Sequence, residues 1–179
     1  MNEKSRKGSQ ARLVSSGGEL KLLAPTIGTA PCVPAIRNAV DQWVKSEYAT
    51  PEGCTATTKA LLNYWFHSDH RLANGRAFAY NTAQREAMET LVYLYEVAKI
   101  RRHRTLLERY AVESKHLELL QHDDFTRYCF KMATGSGKTK VMALAVAWQY
   151  FNSILENIPG YSKTALLIAP NVIVFDRLQ

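Results

Sequence analysis

A chain of 179 residues with 46% apolar and 22% charged side chains is long enough to bury a core and too apolar to be disordered throughout. Lys and Arg outnumber Asp and Glu by 23 to 16, and the net charge of +7 suits a polyanionic partner without identifying one. The odd, widely spaced cysteines Cys32, Cys54 and Cys129 argue against a disulfide framework and for a reducing compartment, which predicts a cytoplasmic protein.

Residues 1–30 are rich in Ser, Gly, Lys and Thr and read as a flexible leader. The polar start lacks the apolar stretch of a secretory signal, and no later run approaches the ~18 apolar residues of a membrane span, so no membrane partner is expected. Behind Pro34, the spacing of Ile36, Val40, Trp43 and Val44 predicts a helix over 34–47. Pro51, Glu52 and Gly53 supply a turn, and a second helix over 57–67 is expected to bury Leu61, Leu62, Trp65 and Tyr64. Asn74-Gly75 between 70–73 and 76–80 signals a tight β-hairpin. A long helix comes next over 82–100, with Ala83, Ala87, Leu91, Leu94, Tyr95 and Ala98 on one face. It leads through Lys99, Arg101, Arg102 and Arg104 into another helix containing Leu106, Leu107, Tyr110 and Ala111. After that the pattern changes: 127–132 reads as a strand, 138–155 as a largely buried helix and 164–169 as a second strand. Strand, loop, helix and strand form a βαβ unit, so the expected class is α/β with a parallel sheet, preceded by a helical region with a small hairpin. The boundaries are 1–30 for the leader, 31–125 for the helical region and 126–179 for the start of a nucleotide-binding domain.

The loop between the predicted strand and helix carries the clearest chemistry. A triphosphate needs donors that approach without bulky side chains in the way, and Gly135 and Gly137 in Thr134-Gly135-Ser136-Gly137-Lys138-Thr139 let the backbone curl so that its N–H groups point inward. The helix start adds roughly half a positive charge of dipole and free N–H groups. Lys138 is placed to reach the β and γ phosphates and is the candidate catalytic residue, and the Thr139 hydroxyl is placed to ligate Mg²⁺. The strict phosphate-loop pattern begins with glycine where this chain has Met132; the identification rests instead on the preceding strand and the following helix. The bland alternative is a glycine turn that happens to hold Lys and Thr.

The run Met132-Ala133-Thr134-Gly135-Ser136-Gly137-Lys138-Thr139 resembles motif I of the superfamily 2 (DEAD/DEAH-box) helicases, especially the helicase subunits of type III and type I restriction enzymes, a group that tolerates Met at the first position. Ala83-Gln84-Arg85-Glu86-Ala87 resembles the Q motif of the same family, and Ala165-Leu166-Leu167-Ile168-Ala169-Pro170-Asn171-Val172 resembles its motif Ia. The resemblance implies a RecA-like sheet, ATP and Mg²⁺ as cofactors, and hydrolysis coupled to movement along nucleic acid, DNA in the restriction enzymes, with modification or specificity subunits as partners. It also implies that Gln84 contacts adenine, whose acceptor and amino donor an amide complements, and that Pro170 and Asn171 touch the nucleic-acid backbone. Asn171 could equally cap a following helix. Asn81 followed by Gln84 also reads as a variant capping box, a role that can coexist with base contact. The link from Gln84 to Lys138 is longer than in many members; an inserted helical segment around 100–120 accounts for it provided that Gln84 stays beside the loop. Phe78 or Tyr80 could stack on adenine as upstream aromatics do in some relatives, or simply pack the hairpin.

Other signals are weaker. The cations at 99–104 suit either phosphate contacts or a solvated helix end. Cys54, His67 and His70 lack a fourth zinc ligand at usual spacing. Trp43, Trp65 and Trp148 sit at helical apolar positions and read as core. No Asp-Glu box comes behind a strand after Thr139, so the residues read as the amino-terminal part of a larger motor, with hydrolysis by this chain alone expected to be absent. The alternatives are a nucleotide-binding interaction module without motor activity and a small nucleotide kinase, against which the Q-like segment and the Ala169-Pro170-Asn171 strand end argue.

Overall fold

The computed structural model describes residues 32–49, 53–111 and 124–168, all of them within the second of two units, Pro31–Gln179. The leader at 1–30, the turn residues Pro51 and Glu52, and Ala169, Pro170 and Asn171 lie outside the described residues.

Helix α1 spans Val33–Lys45, with Pro34 in its first turn, where a missing N–H breaks no helical bond. It buries Val40 and Trp43. The chain leaves it through Glu47 and Tyr48, both left-handed at φ 56° and 60°. That conformation is unfavourable for an aromatic residue, and Tyr48 is tied there through its hydroxyl, 2.9 Å from Glu89 Oε1 and 3.1 Å from His67 Nε2. Helix α2, Ala56–His67, starts at Thr55, whose hydroxyl accepts from the Thr58 N–H at 3.0 Å. It buries Thr58, Leu62 and Trp65 and half-buries Leu61. Tyr64, expected inside, is exposed; its ring packs edge-on against His70 at 4.8 Å, and the inward position belongs to Thr58, which the apolar pattern passed over.

The hairpin pairs β1 (His70–Arg71) with β2 (Ala77–Phe78), His70 opposite Phe78. Gly75 takes φ 79° in its turn, and Asn74 Oδ1 accepts from the Arg76 N–H at 3.1 Å. Next comes α3, Thr82–Val92. Its buried face holds Gln84, Met88, Leu91 and Val92. Of the predicted face, Leu91, Leu94 and Ala98 are buried and Ala87 and Tyr95 half-buried, while Ala83 at the first turn is exposed. The single helix expected over 82–100 instead widens at Tyr93 into one π turn, Tyr93–Val97, and stops; Lys99 comes soon after it at φ 52°. A π turn inserts one residue into the helical phase and rotates the residues beyond it, which brings the Glu96 carboxylate into the core.

Helix α4, His103–Tyr110, buries Leu107 and Tyr110. From the basic cluster ahead of it, Arg101 donates to Tyr95 O at 2.6 Å and lies 3.5 Å over the Tyr95 ring, and from within the helix Arg109 donates to Ala98 O at 3.0 Å. Helix α5, Lys138–Leu155, buries Val141, Leu144, Trp148 and Asn152 along one stripe. It packs against α2 and α3, and α1 also packs on α3. The helix was expected to be largely buried, yet Tyr150, Phe151, Ile154 and Leu155 face outward. Trp43, Trp65 and Trp148 are all buried, as core residues should be.

The two strands expected at 127–132 and 164–169 are absent from the described residues: 127–132 and 164–168 run without a ladder, and the hairpin is the sheet that the described residues form. An extended segment becomes a strand only when its N–H and C=O groups meet a neighbour. Neither segment meets one among the described residues, and Leu166, Leu167 and Ile168 are exposed. The described fold is therefore helix-rich and mixed: its two-stranded antiparallel sheet is the expected hairpin, and a parallel βαβ unit is not formed among the described residues.

The cysteines are free, with Cys129 exposed and Cys32 buried. Burial, with the charge of Glu96 second, pushes the Cys54 thiol up to about 11. At pH 8 a maleimide is therefore expected to label Cys129 first and to leave Cys54 unmodified in the folded chain, read by mass spectrometry of the digested protein; equal labelling of the two would contradict this environment for Cys54. The raised value also means that the neutral thiol favours the fold below pH ~9 and that this contribution is lost as pH climbs to about 11.

Candidate nucleotide-binding site

The first turn of α5 begins at Gly137, which serves as its N-cap at φ 82° with no side-chain cap. Gly135 is also left-handed, at φ 78°. The two glycines stand where L residues would be strained, and the backbone turns sharply enough for the Ser136 hydroxyl and N–H both to reach Ala133 O, at 2.7 and 3.3 Å. Met132, in the usual glycine place, has no positive φ and turns its side chain onto the core, so the local backbone does not demand a glycine there.

Lys138 is exposed and its Nζ donates to Met132 O and Ala133 O, both at 3.1 Å. The ammonium thus rests on the loop's own carbonyls, from which a phosphate could draw it. Thr134 and Thr139 are exposed on the loop and the first helical turn. That turn carries Lys138 and Lys140 and no acidic residue, so helix dipole and side chains bias it toward anions together. Positive-φ glycines, an accessible lysine and a hydroxyl beside it form a donor set that fits a polyphosphate with Mg²⁺.

Gln84 lies directly against this loop despite the long intervening segment. Its Oε1 accepts from the Asn81 N–H at 3.0 Å, the Asn81 side chain accepts from the Gln84 N–H at 2.9 Å, and both halves of a capping box are formed. Its Nε2 donates to Ser136 O at 3.2 Å, and Asn81 Nδ2 donates to the same oxygen at 3.2 Å. The Asn81 contact went unseen in the sequence; the capping-box pattern marks the residue but carries no sign of a partner in the loop. Phe78 and Tyr80 pack edge-on at 5.0 Å, and Lys140 Nζ sits 5.5 Å from the Phe78 ring, so the hairpin flanks the start of α5.

The two glycines predict different sensitivities. A Cβ on Gly135 would meet nothing within 4 Å, whereas one on Gly137 would lie 2.1 Å from Gln84 Nε2, which is locked by its own hydrogen bonds. Gly135→Ala is expected to lose only the left-handed penalty, ~1–2 kcal/mol. Gly137→Ala should lose more, because Gln84 must also give up Ser136; urea melts that place the two variants level would refute the close packing.

The zinc candidates have other partners: His70 Nε2 lies 2.7 Å from Tyr64 O, Cys54 Sγ lies 3.8 Å from Tyr48 O, and His67 faces Tyr48. Among the described residues, no group of three or more His, Cys, Asp or Glu is placed to hold a metal ion, and no helix is long and apolar enough to cross a membrane.

A family model described as type III restriction enzyme, res subunit, matches residues 78–179, more than half of the chain. The match begins at Phe78, the last residue of β2, and covers α3, the π turn, α4, the phosphate-loop segment and α5. No curated protein and no solved structure matches.

Proposed function

We propose, on the premise that the chain belongs to the type III restriction enzyme, res subunit family, that Thr134, Gly135, Ser136, Gly137, Lys138 and Thr139 hold ATP with Mg²⁺ for a helicase or translocase acting on DNA. The family's function is helicase-like and ATP-dependent. The observation that carries the assignment to these residues is the pair of left-handed glycines bracketing Ser136 at the start of α5, with an accessible Lys138 laid on the loop's carbonyls. When bound, ATP supplies the phosphoanhydride and Mg²⁺ offsets its charge; Lys138 would hold the β and γ phosphates and the Thr139 hydroxyl would ligate the metal.

Gln84 is the residue we assign to adenine. Its buried amide is held against the loop, and one Nε2 hydrogen and one Oε1 lone pair remain for a base edge once the Asn81 and Ser136 bonds are counted. Pro170 and Asn171 are proposed to touch the nucleic-acid backbone, and a modification or specificity subunit is the protein partner that a restriction-type complex would bring. Titration of the purified chain with a fluorescent ATP analogue and Mg²⁺ tests the nucleotide assignment. Saturable binding that ATP displaces is expected, and no binding at millimolar nucleotide would end it.

A further inference from the structure

We propose that Asn81 is a positioning residue of the phosphate loop, holding the Ser136–Gly137 peptide in one orientation; its bearing on nucleotide rests on the function proposed above. Asn81 does two things at once. Its Oδ1 accepts from the Gln84 N–H at 2.9 Å and starts α3, while its Nδ2 donates to Ser136 O at 3.2 Å. Gln84 Nε2 brings a second donor to that oxygen at 3.2 Å, so two amides from the first turn of α3 converge on one loop carbonyl.

Peptide geometry turns that convergence into an orientation. The Ser136–Gly137 bond is trans, as no described peptide bond is cis, and a trans peptide is planar, so its N–H lies antiparallel to its carbonyl. Drawing Ser136 O toward α3 therefore aims the Gly137 N–H away from α3. A glycine at φ 82° is otherwise free to let this plane turn, because it populates positive and negative φ about equally. Loop glycines supply the freedom to form a phosphate cradle, and Asn81 removes the part of that freedom that would let the donor swing out.

Helix capping and loop positioning can be separated by substitution. Asn81→Asp and Asn81→Ser keep a side-chain oxygen for the Gln84 N–H, and both are good N-caps. Asp has no donor, and Ser is too short to span to Ser136. Asn81→Ala loses both functions. The expected result is that Asp and Ser variants melt at the temperature of the unchanged chain, while the ¹⁵N order parameter of the Gly137 amide falls from the rigid range, about 0.85, toward 0.6. Nucleotide affinity in the presence of Mg²⁺ should fall about fivefold in both variants, as for loss of one neutral hydrogen bond. The neutral Ser variant excludes simple charge repulsion as the cause. Unchanged Gly137 order in both variants would overturn the proposal, as would loop disorder appearing only in Asn81→Ala together with a lowered melting temperature. If the unchanged chain binds no nucleotide, the functional assignment fails, and the relaxation data still decide whether Asn81 positions the loop.

Discussion

Replacing Glu96 with Ala is expected to destabilise the fold by about 3 kcal/mol or more, a large part of the ~5–15 kcal/mol that holds a domain of this size together. The carboxylate is buried on the π turn and gathers donors from three places in the chain: the Thr55 N–H at 2.9 Å, the Thr58 hydroxyl at 2.5 Å and Trp148 Nε1 at 2.8 Å. Around it, Asn152 Nδ2 donates to Thr58 Oγ1 and to Trp148 O, each at 2.9 Å. Burial, and after it Glu96, also raises the Tyr161 phenol well above its ordinary value. Removing the acceptor strands several buried donors, each costing ~1–3 kcal/mol when left unpaired, although Trp148 and Thr58 retain partial partners in one another and in Asn152. Glu96→Gln keeps one acceptor oxygen and the shape, and should recover more than half of the loss. Urea denaturation followed by circular dichroism measures both; a loss below ~1 kcal/mol for Glu96→Ala would mean that water replaces the carboxylate at little cost.

That network shows where the sequence is legible and where it is not. Helix α1 was evident from its three-and-four spacing and α2 and α5 from their apolar runs, and the hairpin was evident because Asn74-Gly75 has few other uses. The break in the long helix at Tyr93 was not, since a π turn leaves no compositional mark and only Glu96, arriving in an apolar stretch, hints at a changed phase. Polar contacts between residues far apart in the chain, such as Thr58 with Asn152, have no periodicity to betray them. The strands at 127–132 and 164–169 are the opposite case: their apolar runs are strand-like, but a strand is completed by its neighbours, and these segments have none among the described residues. At the candidate site, glycine and lysine spacing revealed the loop, while the juxtaposition of Gln84 and Ser136 depended on how the intervening segment folds.

Lys138→Ala is expected to weaken binding of ATP with Mg²⁺ by ~10- to 100-fold, the ~1.5–3 kcal/mol of a hydrogen bond to a charged group. The fold should barely respond, because the side chain is exposed and its two 3.1 Å bonds go to carbonyls at the surface of the loop, where water can replace it. Lys138→Arg should recover little, since a planar fork cannot rest on the same two carbonyls and then reach a phosphate as a compact ammonium does. Thermal melts give a direct comparison. A ligand at a hundred times its dissociation constant stabilises the folded state by ~2.7 kcal/mol, so ATP with Mg²⁺ should raise the melting temperature of the unchanged chain and leave that of the Ala variant almost in place at the same nucleotide concentration. The contrast separates phosphate recognition from incidental attraction to a basic surface. With 23 Lys and Arg in the chain, loss of one charge hardly alters the overall field, and a nucleotide held by that field alone would bind both proteins alike and be released by moderate salt. Equal thermal shifts in the two proteins would therefore move the nucleotide away from this loop, whereas a shift confined to the unchanged chain would tie it to the one ammonium that already rests on the carbonyls of Met132 and Ala133.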